Sequence, residues 1–198
     1  IDFTRSGSPG KGSRMTSVPL ARRRALLAAI SLPVAAALPG CAAVDTLAYA
    51  DQKPALDLKR YFDGMLDGWG MVQDRSGKVL RRFTVTMRAS WQGDTGTLDE
   101  AFLWSDGERQ RRVWTLRQRA AGRFVGTADD VVGEAIGESA GSALNWRYVM
   151  ALPVDGRVWH VDFDDWMFLV DERVLLNRAT MSKFGVRLGE VTLSLTRR

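Results

Sequence analysis

The chain has one cysteine and one histidine in 198 residues. A lone cysteine, Cys41, cannot close an intramolecular disulfide, so hydrophobic burial and backbone pairing must supply the stability. A lone histidine, His160, narrows the routes to base-assisted catalysis. A Ser-His-Asp hydrolase would have to use it, and the chain lacks the strand–helix alternation that holds a nucleophile elbow. In "HVDFDD" His160, Asp162 and Asp164 fall on one strand face, where neighbours are about 6.6 Å apart. One metal with bonds of about 2 Å cannot bridge that set. Long apolar runs are missing too. The longest, Ala25 to Leu38, is broken by Ser31 and Pro33 and is shorter than the ~20 residues a membrane-spanning helix needs.

The chain's 28 basic residues exceed its 23 acidic ones, but six of the basic residues and only one acid lie in residues 1–40. Beyond Cys41 there are 22 of each, so this part is formally neutral and lacks the electrostatic footprint of a nucleic-acid binder. The excess charge precedes the apolar run as Arg14, Arg22, Arg23 and Arg24, and small residues follow the run. That order is the layout of a secretory signal. The tetrad Leu38-Pro39-Gly40-Cys41 resembles a lipobox, with Pro39 in place of the commoner Ser or Ala. The resemblance implies cleavage before Cys41 and acylation of its thiol and new amino terminus. Two or more acyl chains hold stably to a bilayer where one is marginal. Met15 is the expected start and residues 1–14 an expected leader or disordered tail. Residues 15–40 are the expected signal, 41–59 a lipidated tether, and 60–198 the folded domain. Ala42, standing where an Asp would signal inner-membrane retention, implies the outer membrane on its periplasmic side.

From Arg60 onward the pattern has period two. "RRFTVTMRASW" puts Phe83, Val85, Met87, Ala89 and Trp91 on one face, with Arg82, Thr84, Thr86, Arg88 and Ser90 on the other. Turns are expected at Asp106-Gly107, Ala121-Gly122, Asp155-Gly156 and Asp171-Glu172. "VVGEAIGESAGSAL" would line Gly133, Gly137 and Gly141 on one helix face, each about 1 kcal/mol worse than Ala. A small-residue strand and turn is preferred there, with a short helix as second choice. In "GEVTLSLTRR" the last strand carries Val191, Leu193 and Leu195 on one face. Eight to ten short strands with regular turns predict an all-β antiparallel barrel or sandwich.

Four long motifs carry a resemblance: "YFDGMLDGWGMVQDRSGKVLRRFTV", "GTLDEAFLWSDGERQRRVW", "GTADDVVGEAIGESAGSALNWRY" and "FDDWMFLVDERVLLNRATMSKFGVRLGEVTLSL". Together they resemble the domain-of-unknown-function 3833 family of bacterial envelope lipoproteins over nearly all of residues 60–198. The family has no established activity. The resemblance implies a calycin-like (lipocalin-like) antiparallel barrel of about eight to ten strands. A second likeness, of the Gly-rich first strand around Trp69 to the Gly/Trp opening of lipocalins, implies that Arg197 on the last strand packs over Trp69.

All seven tryptophans follow Cys41. They either fill the barrel or line a cavity for one small ligand. In the leading reading a hydrophobic, lipid-derived ligand sits inside, with Trp69 and Trp166 in the wall and Arg178 or Lys183 meeting an acid group. "LLNRATMSKFG" places Asn177, Arg178, Ser182 and Lys183 at a bend, read either as a barrel mouth or as a fixed structural turn. Two rivals stand beside it. A filled barrel would dock an envelope partner through Arg109, Arg111, Arg117 and Arg119, which alternate onto one surface and also suit lipid phosphates. A small lipid-modifying enzyme would use Asp164 or His160. The cluster of Asp162, Asp164 and Asp165 keeps a carboxylate-pair mechanism open. No cofactor and no metal are expected.

Overall fold

A computed structural model describes residues 44–198. The expected leader, signal segment and lipid-attachment residue Cys41 lie outside the described residues. Ten antiparallel strands follow in order: β1 (Gly64–Asp74), β2 (Val79–Gln92), β3 (Thr95–Trp104), β4 (Arg109–Ala120), β5 (Arg123–Thr127), β6 (Ala135–Ala140), β7 (Ala143–Val154), β8 (Arg157–Leu169), β9 (Val174–Lys183) and β10 (Val186–Arg197). Each pairs with its sequence neighbours, and β1 pairs with β10 from Leu66↔Arg197 to Asp74↔Gly189. The result is a closed up-and-down barrel, the all-β antiparallel architecture that the alternation predicts. Closure removes the free strand edges that an open sheet would expose.

The alternation chooses the faces. On β2, Phe83, Val85, Met87 and Ala89 are buried while Thr84, Thr86, Arg88 and Ser90 are exposed. Burying each large side chain contributes about 1.5–3 kcal/mol. The β7–β8 hairpin turns at Asp155 and Gly156, both at positive φ (49° and 76°), as a two-residue turn matched to strand twist requires. The glycine-rich stretch forms β6 and the turn into β7, not a helix. Gly137 there faces the Trp146 ring, which leaves no room for a Cβ.

The segment expected as tether instead packs against the barrel from the buried Thr46 onward. Asp45 caps a 3-10 turn (Thr46–Tyr49) by accepting a hydrogen bond from Leu47 N at 3.0 Å. Tyr49 lies edge-on to Trp166 and Phe168, with ring centres 5.9 and 5.1 Å away. Leu56 N donates to Gly141 O at 2.7 Å. The short helix α1 (Leu58–Tyr61) then plugs one end of the barrel, burying Leu58, Tyr61 and Phe62. Trp91 Nε1 donates to Phe62 O at 2.7 Å, and the Tyr61 hydroxyl lies 3.1 Å from both Leu195 O and Arg173 O. Apolar content explains the packing, because a free tether would leave Tyr49, Leu56 and Leu58 in water.

Strands β5 and β6 are only five and six residues long, against twelve in β4 and β7. The connection between them fills the resulting gap in the wall. Ala151 N donates to Asp130 O and Val132 N to Val149 O, both at 2.8 Å, and Val131 bridges Met150.

Candidate ligand cavity in the barrel lumen

The centre of the barrel is not filled. A cavity of about 530 Å³ runs from the α1 floor, at Leu58 and Phe62, toward the opposite end at Leu80, Arg81, Leu152 and Pro153. That volume lies within the range of small-molecule sites. Its wall is mainly apolar and aromatic, including Phe83, Phe102, Trp114, Trp146 and Phe163. At the rim Arg81 stacks 4.2 Å over the Trp104 ring and pairs with Asp106 and Glu108 at 2.8 and 2.7 Å.

Polar side chains interrupt the apolar wall at one level. Glu100 on β3 stands directly across from Arg112 on β4. Arg112 Nη2 pairs with Asp130 Oδ2 at 2.8 Å, while its Nη1 is 3.9 Å from Glu100 Oε2. That Glu100 oxygen is buried and has no hydrogen-bond partner. On β8, Asp165 is 7% exposed, and its Oδ1 accepts a very short hydrogen bond from Asn177 Nδ2 on β9. Tyr148 on β7 stacks on Phe163 with ring centres 4.9 Å apart and meets Trp114 edge-on.

Burial dominates the electrostatics of this cluster. It pushes the Glu100 carboxyl up to about 7; Arg112 opposes the shift, and Asp130 and Asp165 reinforce it. Burial also pushes Asp165 up to about 7, against the Asn177 hydrogen bond and with help from Asp164. Tyr148 is raised by burial and by Asp165. Burial works against the charge of Arg112, but Glu100 and Asp130 overcome it and keep the guanidinium protonated.

Of the residues expected to form the site, only Asn177 faces the lumen. Trp69 is 55% exposed on the outer face, and Arg197 lies across from Leu66, donating to Asp63 O at 3.2 Å, so the expected Trp69–Arg197 packing is absent. Trp166 is on the outside beneath Tyr49. Asp164 also points out and accepts from Asn145 Nδ2 at 2.6 Å. Arg178 is exposed, 3.3 Å from Glu190. Lys183 sits at the outer rim, donating to His160 O at 2.8 Å. For Trp69, Asp164, Trp166 and Arg178 the cause is one: side chains alternate, and these positions have the outward parity. Lys183 and Arg197 share the inward parity of Met181 and Leu195 but stand at the ends of β9 and β10, past the lumen. His160, Asp162 and Asp164 share that outer face, as the alternation requires, and Asp165 alone of the aspartate cluster turns inward. Arg109, Arg111, Arg117 and Arg119 do share the outer face of β4, where Arg111 pairs with Asp99 at 2.7 Å and Arg119 with Glu134 at 3.5 Å.

The charged lumen residues carry a signal in the sequence. Glu100 stands among Leu98, Phe102 and Trp104; Arg112 precedes Trp114 and Leu116; Asp165 stands between Phe163 and Met167. Each is a charge on the apolar parity of its strand. Asp130 carried no such signal, because it comes from a connection.

Residues 35–197 match the family model described as "Protein of unknown function (DUF3833)". The chain belongs to the DUF3833 family. This DUF3833 chain matches no curated protein. Among solved structures it is similar to the chain in "Structure of EF1p2_mFAP2b bound to DFHBI", with a TM-score of 0.40 and 10% identity, covering 72% of this chain and 100% of that one.

Proposed function

We propose that this DUF3833 chain is an envelope lipoprotein that binds a hydrophobic, lipid-derived amphiphile in its barrel. Acylated Cys41 holds it to the outer membrane on the periplasmic side. The observation that carries the binding reading is the lumen itself, about 530 Å³ of mainly apolar space with one buried polar level. An apolar wall rewards burial of a hydrocarbon chain, and a few convergent polar groups fix the position of its head. A filled barrel acting only through its surface fits this cavity poorly. His160 and Asp164 lie outside it, so they do not support an enzyme working on a ligand within.

Native mass spectrometry of gently extracted protein tests the reading. The expected result is a co-purifying lipid-sized adduct that exchanges with added amphiphile and shifts the fluorescence of Trp114 and Trp146, which line the lumen. Absence of both the adduct and the fluorescence change would defeat it.

A further inference from the structure

Resting on the lumen reading above, the geometry points to the head group of the ligand: we propose that the barrel prefers an amphiphile whose polar end is a protonated amine, seated between Glu100 and Asp165, over one ending in a carboxylate. Three carboxyl groups, Glu100, Asp130 and Asp165, surround a single guanidinium, Arg112. That guanidinium is already engaged, because Asp130 takes its Nε and Nη2 at 2.8–3.1 Å. A carboxylate entering the lumen would therefore find its natural partner occupied and two further acids facing it.

An ammonium meets the opposite situation. Glu100 Oε2 is buried with no hydrogen-bond partner, and its side chain lines the cavity. Asp165 also lines the cavity, and among the described residues its only side-chain donor is the amide of Asn177. A buried acceptor left unpaired is costly, and a charged donor that satisfies it recovers that cost. An ammonium has three donors, enough to meet both carboxylates at once. The Trp114 ring, one inward row from the Glu100–Arg112 pair, lines the same cavity, and an aromatic face favours a cation over an anion. The discrimination is by repulsion as much as by attraction, since the same acids that hold an amine reject a fatty acid.

Three probes of one chain length separate head-group preference from lumen binding: dodecylamine, dodecanol and laurate, titrated into the purified full chain at neutral pH and read by tryptophan fluorescence and calorimetry. Dodecylamine is expected to bind about tenfold or more tightly than laurate, with dodecanol between them. Glu100→Gln and Asp165→Asn are each expected to weaken dodecylamine by about tenfold while leaving dodecanol unchanged. The proposal is overturned if laurate binds as well as dodecylamine, or if dodecylamine is indifferent to both substitutions and so binds elsewhere. If dodecanol binds without any amine preference, the head-group proposal alone fails. If none of the three binds, the lumen reading fails and takes this proposal with it. The wild-type comparison of amine with laurate stands even where a variant does not fold.

Discussion

Glu100 Oε2 lies 3.9 Å from Arg112 Nη1, directly across two paired strands, and accepts no hydrogen bond. The pair is close enough to attract but does not compensate the carboxylate for lost water. A buried ion pair without good hydrogen bonding is weak support for a fold, and a polar group kept in that condition invites a ligand.

The first prediction concerns pH. In the folded chain Glu100 rises from its ordinary 4.5 to about 7, and Asp165 from 3.8 to about 7. Between those limits the folded chain holds more protons than the unfolded one, so stability falls as pH rises. The contribution is complete below the ordinary values and is lost as pH climbs through about 7, on the order of 3 kcal/mol for each group. Urea midpoints should be higher at about pH 5 than at about pH 8, and Glu100→Gln should flatten the difference. A wild-type midpoint that does not fall with rising pH would contradict the assignment.

The second concerns packing around Trp146. Its indole fills the space beside two glycines, Gly126 on β5 and Gly137 on β6. A Cβ at Gly126 would stand 2.6 Å from Trp146 Cζ2, and one at Gly137 would overlap the ring. Gly137→Ala should cost about 1–3 kcal/mol and alter the near-ultraviolet circular dichroism of Trp146. Unchanged thermal unfolding would mean that the ring moves freely.

The third separates outside from inside. Trp69 is exposed on the outer face, beside Leu176 and Leu103, which are 50% and 43% exposed. Trp69→Ala should cost less than about 0.5 kcal/mol of stability and leave dodecanol binding as it was. If that substitution abolishes binding, the ligand sits on the outer surface and not in the lumen.

The fourth concerns the anchor. Metabolically supplied palmitate should label the chain, and Cys41→Ser should lose the label and release the protein from the envelope fraction. A single acyl chain holds only marginally, whereas the full set expected at a lipobox cysteine holds firmly. A Cys41→Ser protein that stays tightly membrane-bound would show that something other than the thiol anchors it.

Much of the barrel was legible because alternation and turn chemistry are local. Phe83, Val85, Met87 and Ala89 announce a strand with one buried face, and Asp155-Gly156 announces its kind of turn. The packing of residues 44–59 was not legible. Thr46, Tyr49 and Leu56 have no strong period, and the surface they cover, formed by Trp166, Phe168 and Gly141, lies about a hundred residues further along.

By itself the sequence determined the strands, their turns and the two parities of side chains along each one, since a side-chain period of two is set by the backbone of every extended residue. Tertiary structure alone decided which charged residues meet. Glu100, Arg112, Asp130, Asp165 and Asn177 come from four strands and one connection, and they share a level only because β10 returns to pair with β1 and closes the sheet. Closure fixes the stagger of every strand against its neighbours, and stagger is a property of the whole sheet that no single strand contains.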